Sequence, residues 1–119
     1  MVQKSLAAAA QLEEEGIDVE VIDPRTLAPL DVNTIVESVK KTGRVVLVDQ
    51  APRHASAAIT VAGEIAEHAF SFLKAPVRLV TAEDTPVPFS EPLESFVLPN
   101  ENKIVQAVKS VLAKHAAAV

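Results

Sequence analysis

Asp49 and His54 sit close together just after an apolar run, and Arg25 follows Asp23 after a single proline. The first pair has the chemistry of an acid–base couple, and the arginine could hold an anionic substrate. Both groups, like Glu83 and Asp84, fall where strands should end, and open parallel sheets bind ligands outside the carboxyl ends of their strands. The chemistry on offer is that of a small hydrolase, or of a stand-alone small-anion-binding or regulatory α/β module. The plainer reading is that Asp23 and Arg25 satisfy each other or nearby loop amides. Glu64, Glu67 and His68 share one helical turn, but a metal would need further ligands from elsewhere, so a solvated helix face and no metal are expected. His115 is remote from both other histidines. No serine lies in a Gly-x-Ser-x-Gly elbow, and Gly16, Gly43 and Gly63 are too scattered for a phosphate-binding loop.

The elements that must position these groups follow from periodicity. Residues 2–15 carry Val2, Leu6, Ala9 and Leu12 on one stripe and stop at Gly16, which predicts a helix with a left-handed cap. Residues 19–22 and 44–48 read as buried parallel strands, the second too uniformly apolar to have a wet face. Between them Asp31 caps a predicted helix with Val32, Ile35, Val36 and Val39 on its apolar face, closed by Gly43, completing a strand–helix–strand unit. A longer helix is predicted over 55–73 and a strand over 77–81. The proline-rich stretch 83–99 then reads as a fixed extended loop whose Phe89, Leu93, Phe96, Val97 and Leu98 must be buried somewhere. Asn100 starts a last helix with Ile104, Val105, Val108, Val111 and Leu112 inside, and the tail from Ala113 is expected to fray. Gly63 inside a helix costs roughly 1 kcal/mol relative to alanine. It therefore predicts close approach of another backbone, from this domain or from a second subunit.

The chain of 119 residues is read as one domain, 1–119, of class α/β, with helices on both faces of a mainly parallel sheet. Its 49% hydrophobic content comes mostly from Ala and Val, with 3% aromatics, which favours helices on parallel strands over an aromatic-rich sandwich. No cysteine is present, so disulfides and thiolate chemistry are impossible. The formal charge of -5, with scattered basic residues, argues against nucleic acid and suits a basic protein partner. No apolar run approaches the roughly 20 residues that span a bilayer, and no signal-peptide order opens the chain, so no membrane is expected. A cytosolic location is expected, or the mitochondrial matrix if the source is eukaryotic. Doubly wound domains usually open on a strand, whereas this chain opens on a helix.

Several motifs stand in fixed order: Ile-Asp-Pro-Arg-Thr-Leu-Ala-Pro-Leu-Asp over 22–31, Thr-Gly-Arg-Val-Val-Leu-Val over 42–48, Ala-Pro-Val-Arg over 75–78, Asp-Thr-Pro-Val-Pro-Phe over 84–89, then Leu98-Pro99 and a final amphipathic helix. Together they resemble the carboxyl-terminal, transketolase C-terminal-like domain of the beta subunit of thiamine-diphosphate-dependent 2-oxoacid dehydrogenases, the pyruvate, branched-chain and acetoin enzymes. The resemblance covers nearly the whole chain. It implies a three-layer α/β/α fold lacking its first strand or strands, and no cofactor bound by this chain. Thiamine diphosphate and magnesium would belong to the complete enzyme, held by the alpha subunit and the amino-terminal domain of the beta subunit. It also implies beta–beta self-association, an alpha-subunit partner and docking of the acyltransferase subunit-binding domain. Asp23, Arg25, Thr26, Pro29 and Asp31, with Asp84, Pro86 and Pro88, match the family pattern and carry over as structural or interface residues, Phe89 and Gly63 joining them as interface candidates. No catalytic residue carries over. The segment 50–60 departs from the pattern: Gln50 replaces a glutamate, Ala55, Ser56 and Ala57 replace a glycine-rich turn, and Thr60 stands where a later glutamate would fall. A domain without a central strand exposes strand edges, so self-association or poor stability is expected of the chain alone.

Overall fold

The computed structural model describes residues 1–113; His115 and the tail beyond Ala113 lie outside them. In chain order the elements are α1 (Val2–Glu14), α2 (Val32–Thr42), β1 (Val46–Pro52), α3 (Ala57–Ala69), β2 (Arg78–Ala82), α4 (Glu91–Val97) and α5 (Glu101–Leu112). β1 and β2 are parallel, with Val46 opposite Arg78 and Val48 opposite Val80, and α3 connects them. The expected long helix is α3 flanked by single 3₁₀ turns at Arg53–Ala55 and Phe70–Phe72.

Helix ends form where local chemistry demands them. The Asp31 carboxylate accepts from the Thr34 N–H at 3.1 Å and opens α2. Gly43 closes it at φ +71°, and its carbonyl accepts the Lys74 N–H at 2.7 Å. A Cβ there would lie 2.8 Å from the Lys74 side chain, which is exposed and can shift, so it is the left-handed φ that calls for glycine. Asn100 opens α5 by accepting from the Lys103 N–H at 2.9 Å.

The core has two halves, one on each side of the sheet. Ala8 and Leu12 of α1 meet Ile104, Val105 and Val108 of α5, with Val80 of β2 beneath them. On the other side Ile35 and Val39 of α2 pack with Val61, Ile65 and Ala69 of α3. β1 and the residue before it feed both, Val46 and Val48 reaching the first cluster and Val45 and Leu47 the second. Alternate side chains of a strand point to opposite faces, so a uniformly apolar strand is what an α/β/α sandwich requires.

Three expectations need correction. Residues 19–22 form no strand: they are extended, but no backbone–backbone hydrogen bond involves them among the described residues. A strand exists only through its ladder. Here a cavity of about 660 Å³, lined by residues 17–25 on one side and 44–49 on the other, separates this segment from β1. The same cavity leaves β1 half-buried rather than fully buried. Second, the loop 83–99 is not wholly extended, because α4 forms within it with Pro92 in its first turn, where a missing N–H costs nothing. Third, among the described residues outside its own helical turns nothing lies within 4 Å of where a Gly63 Cβ would stand, so no other backbone among them approaches it. Gly63→Ala should therefore raise the stability of the chain by about 0.5–1 kcal/mol, read from a chemical melt. If Gly63 instead seats a second subunit, the same variant weakens assembly.

Candidate functional site

The carboxyl end of β1 holds the groups with most chemistry. One Asp49 oxygen accepts the Ser56 hydroxyl at 2.6 Å and the other accepts the Ala51 N–H at 3.2 Å. Ser56, the one buried polar residue among the described residues, in turn accepts the Ala58 N–H at 3.0 Å and caps α3. Burial acts most strongly on the Asp49 carboxyl and pushes its pKa up. The Ser56 hydroxyl and the N–H groups of Ala51, Ala57 and Ala58 together outweigh it and hold the group below its ordinary value. Asp49 is thus a fixed anion at a helix amino terminus, poorly suited to take up a proton.

The expected Asp49–His54 couple does not form, because Asp49 is committed to Ser56 and the α3 amides. His54 Nδ1 lies instead 2.6 Å from Asp84 Oδ2, on the surface. The expected couple joined two groups at one strand end, whereas the contact formed links the ends of two strands. Ser56 was missed as a cap, although a serine directly before an apolar-periodic run is a helix-start signal. Because the folded pKa of Asp49 is depressed, its stabilisation is complete above the unfolded value, 3.8, and is lost as pH falls through the lower folded value. Asp49→Asn should cost about 1–2 kcal/mol at neutral pH and flatten the acid limb of the stability curve, measured by urea unfolding across pH.

Asp23 and Arg25 pair with each other, Nε to Oδ2 at 2.8 Å, on a side chain that is 87% exposed at the arginine. That is the plainer of the two expectations, and it builds no enclosed anion site. The loop they occupy is braced locally: the Thr26 hydroxyl donates to the Pro29 carbonyl at 2.6 Å, and the Ala28–Pro29 peptide is cis. The Thr34 hydroxyl and N–H both bond Asp31 and keep its carboxyl below the ordinary value.

Glu64, Glu67 and His68 do converge, their ligand atoms lying within 4.8 Å of one another on α3. Among the described residues they are the only such group, and His68 Nε2 is 3.4 Å from Glu64 Oε2. All three come from one half-solvated helix face, with no donor from a second element. They do not suit the magnesium of a diphosphate cofactor, and Gly16 and Gly43 are each spent on a helix end. The residues present therefore do not fit thiamine diphosphate.

A different kind of site lies on and before α4. Phe89 is fully exposed (108%), Phe96 69% and Leu93 56%, with Val87 beside them in sequence. Val97 and Pro99 anchor the segment in the core, and Lys103 holds it by donating to the Leu98 carbonyl at 3.1 Å while its ammonium stands 5.6 Å from the Phe96 ring centre. The expectation that this loop buries its apolar residues is thus met only at Val97 and half-buried Leu98. Pro86 is exposed and Pro88 half-buried in the same stretch.

Residues 1–104 match the family model described as the C-terminal domain of transketolase. The chain belongs to that family. Its sequence is 48% identical over 112 residues to the pyruvate dehydrogenase E1 component subunit beta of Staphylococcus epidermidis, covering 94% of this chain and 34% of that protein. The subunit of the same name from Rhizobium meliloti is 44% identical over 110 residues, covering 92% of this chain and 24% of that protein. A solved split-gene transketolase, described as an inactive beta4 tetramer, superposes with a TM-score of 0.79 at 32% identity, over 93% of this chain and 35% of its own. This transketolase C-terminal domain therefore spans about a quarter to a third of the length of these relatives. Its helices and parallel strand pair superpose on that solved neighbour.

Proposed function

We propose that this domain serves assembly and partner docking in the beta subunit of a 2-oxoacid dehydrogenase decarboxylase component. In the complete enzyme it supports thiamine-dependent oxidative decarboxylation without contributing a catalytic group. The observation that carries this reading is the apolar surface of Phe89, Leu93 and Phe96, displayed by a domain in which the strand-end groups Asp23, Arg25, Asp49, His54 and Asp84 are spent on a helix start and surface pairs. Contiguous exposed aromatic surface marks interaction sites. The relatives are named as subunits, and the structural neighbour is a tetramer. In this reading thiamine diphosphate and magnesium are held by other parts of the enzyme, and the partners are a second beta subunit, an alpha subunit and the acyltransferase subunit-binding domain.

Co-expression with an alpha subunit and the remainder of a beta subunit tests it. A stable complex containing this chain, with thiamine-dependent turnover of a 2-oxoacid, is the expected result; failure to co-purify would refute the docking role.

A further inference from the structure

We propose that Lys103 is the positioning residue of the α4 surface: its ammonium fixes the exit of α4, and with it the stance of Leu93 and Phe96, so that docking depends on this one charge. The inference rests on the docking role of α4 proposed above, and its test separates the two.

α4 cannot hold itself in place. It has seven residues, and helices shorter than about 12–15 are at best marginal alone in water. Residues 91–96 are all exposed and Val97 alone is buried, so no apolar stripe seats the helix on the body of the domain. The Ser90 side chain makes no capping bond at its start. The orientation of α4 is therefore set at its exit.

That exit is densely bonded. Four successive carbonyls accept donors from outside the helix: those of Phe96 and Leu98 from the Lys103 ammonium, that of Val97 from the Glu83 N–H at 3.2 Å, and that of Pro99 from the Lys4 ammonium at 3.1 Å. The last carbonyls of a helix have no partner within it and carry the negative end of its dipole, where a cation is favoured. Lys103 satisfies two of the four, and the same nitrogen stands 5.6 Å from the centre of the Phe96 ring. One charge thus holds both the backbone that aims α4 and a side chain of the docking surface. Lys4 meets only Pro99, which is fully buried in any case.

The place of Lys103 in its own helix points the same way. Asn100 caps α5 by accepting the Lys103 N–H, which makes Lys103 the third residue of that helix. A glutamate or glutamine there would reach back to the cap, whereas a cation meets the positive end of the α5 dipole. Lys103 is unfavourable for the helix that carries it and favourable for the helix before it. Lys40, Lys41 and Lys109, by contrast, pair with surface carboxylates.

Lys103→Met, which keeps the stem, and Lys103→Arg, which keeps the charge, provide the test in the full chain. In Lys103→Met the Glu94 and Leu98 amides, bonded to the Ser90 and Glu94 carbonyls, should exchange with solvent at least about tenfold faster. Exchange at Ile65, in the other half of the core, should not change. Co-assembly with an alpha subunit and the remainder of a beta subunit should weaken about tenfold. Lys103→Arg should restore both readouts. Should Lys103→Met not fold, the unmutated chain decides: the Lys103 ammonium protons should exchange with water at least about tenfold slower than those of Lys41, and equal rates overturn the proposal. Unchanged exchange at Glu94 and Leu98 in Lys103→Met also overturns it, as does a loss in Lys103→Arg as large as in Lys103→Met, since packing rather than charge would then be responsible. A variant with Phe89, Leu93 and Phe96 all replaced by serine separates the two readings. If it assembles poorly while Lys103→Met assembles normally, the positioning role alone falls; if it assembles normally, the docking role of α4 falls and takes this proposal with it.

Discussion

Ile65→Ala is expected to lower the unfolding free energy by about 3–4 kcal/mol. Ile65 is fully buried in the cluster it forms with Ile35, Val39, Val61 and Ala69, and Val45 and Leu47, at the start of β1, pack against that cluster. Removing its branched end takes away the transfer energy of the lost carbons and leaves a cavity between two helices and a sheet only two strands wide. Domains of this size are stable by about 5–15 kcal/mol in total, so the loss is a large share. The melting midpoint should fall by roughly 10–15 °C. Ile59→Ala, on the exposed side of the same helix, should change stability by no more than about 0.5 kcal/mol. Thermal and urea unfolding of the two variants side by side provide the check. A loss under about 1 kcal/mol for Ile65→Ala would mean that this half of the core does not carry the fold.

The triple variant Phe89→Ser, Leu93→Ser, Phe96→Ser should behave in the opposite way. All three side chains are largely exposed in the single chain, so its melting midpoint should move by no more than a few degrees, about what surface substitutions produce. If the apolar α4 surface is the docking face, co-assembly with the other subunits should weaken by about 100-fold or more, because buried aromatic anchors each contribute on the order of 2 kcal/mol to an interface. Sedimentation of the co-expressed complex against a melt of the isolated chain separates the two effects. Unchanged assembly would remove α4 from the proposed interface.

Much of the architecture was legible from residue spacing. Asp31 and Gly43 bracket α2, Asn100 opens α5, and Ile104, Val105, Val108 and Val111 of α5 are buried as expected, whereas Leu112 is exposed and in α1 it is Ala8 with Leu12 that is buried while Leu6 is exposed. Capping and periodicity are local rules, and these elements obey them with partners only a few residues away. The site was legible in outline alone. Asp23 and Arg25 pair as short spacing permits, but the link of His54 to Asp84 joins residues from the ends of two different strands, which spacing along the chain could not rank above the nearer Asp49. Ser56 decided that competition by taking the Asp49 carboxylate for the start of α3.

The sequence by itself determined the α/β class, the bounds of α2 and the start of α5, the ordered motifs that mark the family and the absence of thiol chemistry. Those depend on residue type and on contacts between near neighbours. Only the tertiary structure decided that residues 19–22 are extended without being a strand, that Gly63 faces open space, and that Phe89, Leu93 and Phe96 stay exposed. In each case the outcome depends on what lies across from the residue. A β-branched run becomes a strand only when another strand stands within hydrogen-bonding distance, and here the helix layers hold β1 and that run apart by the width of the cavity.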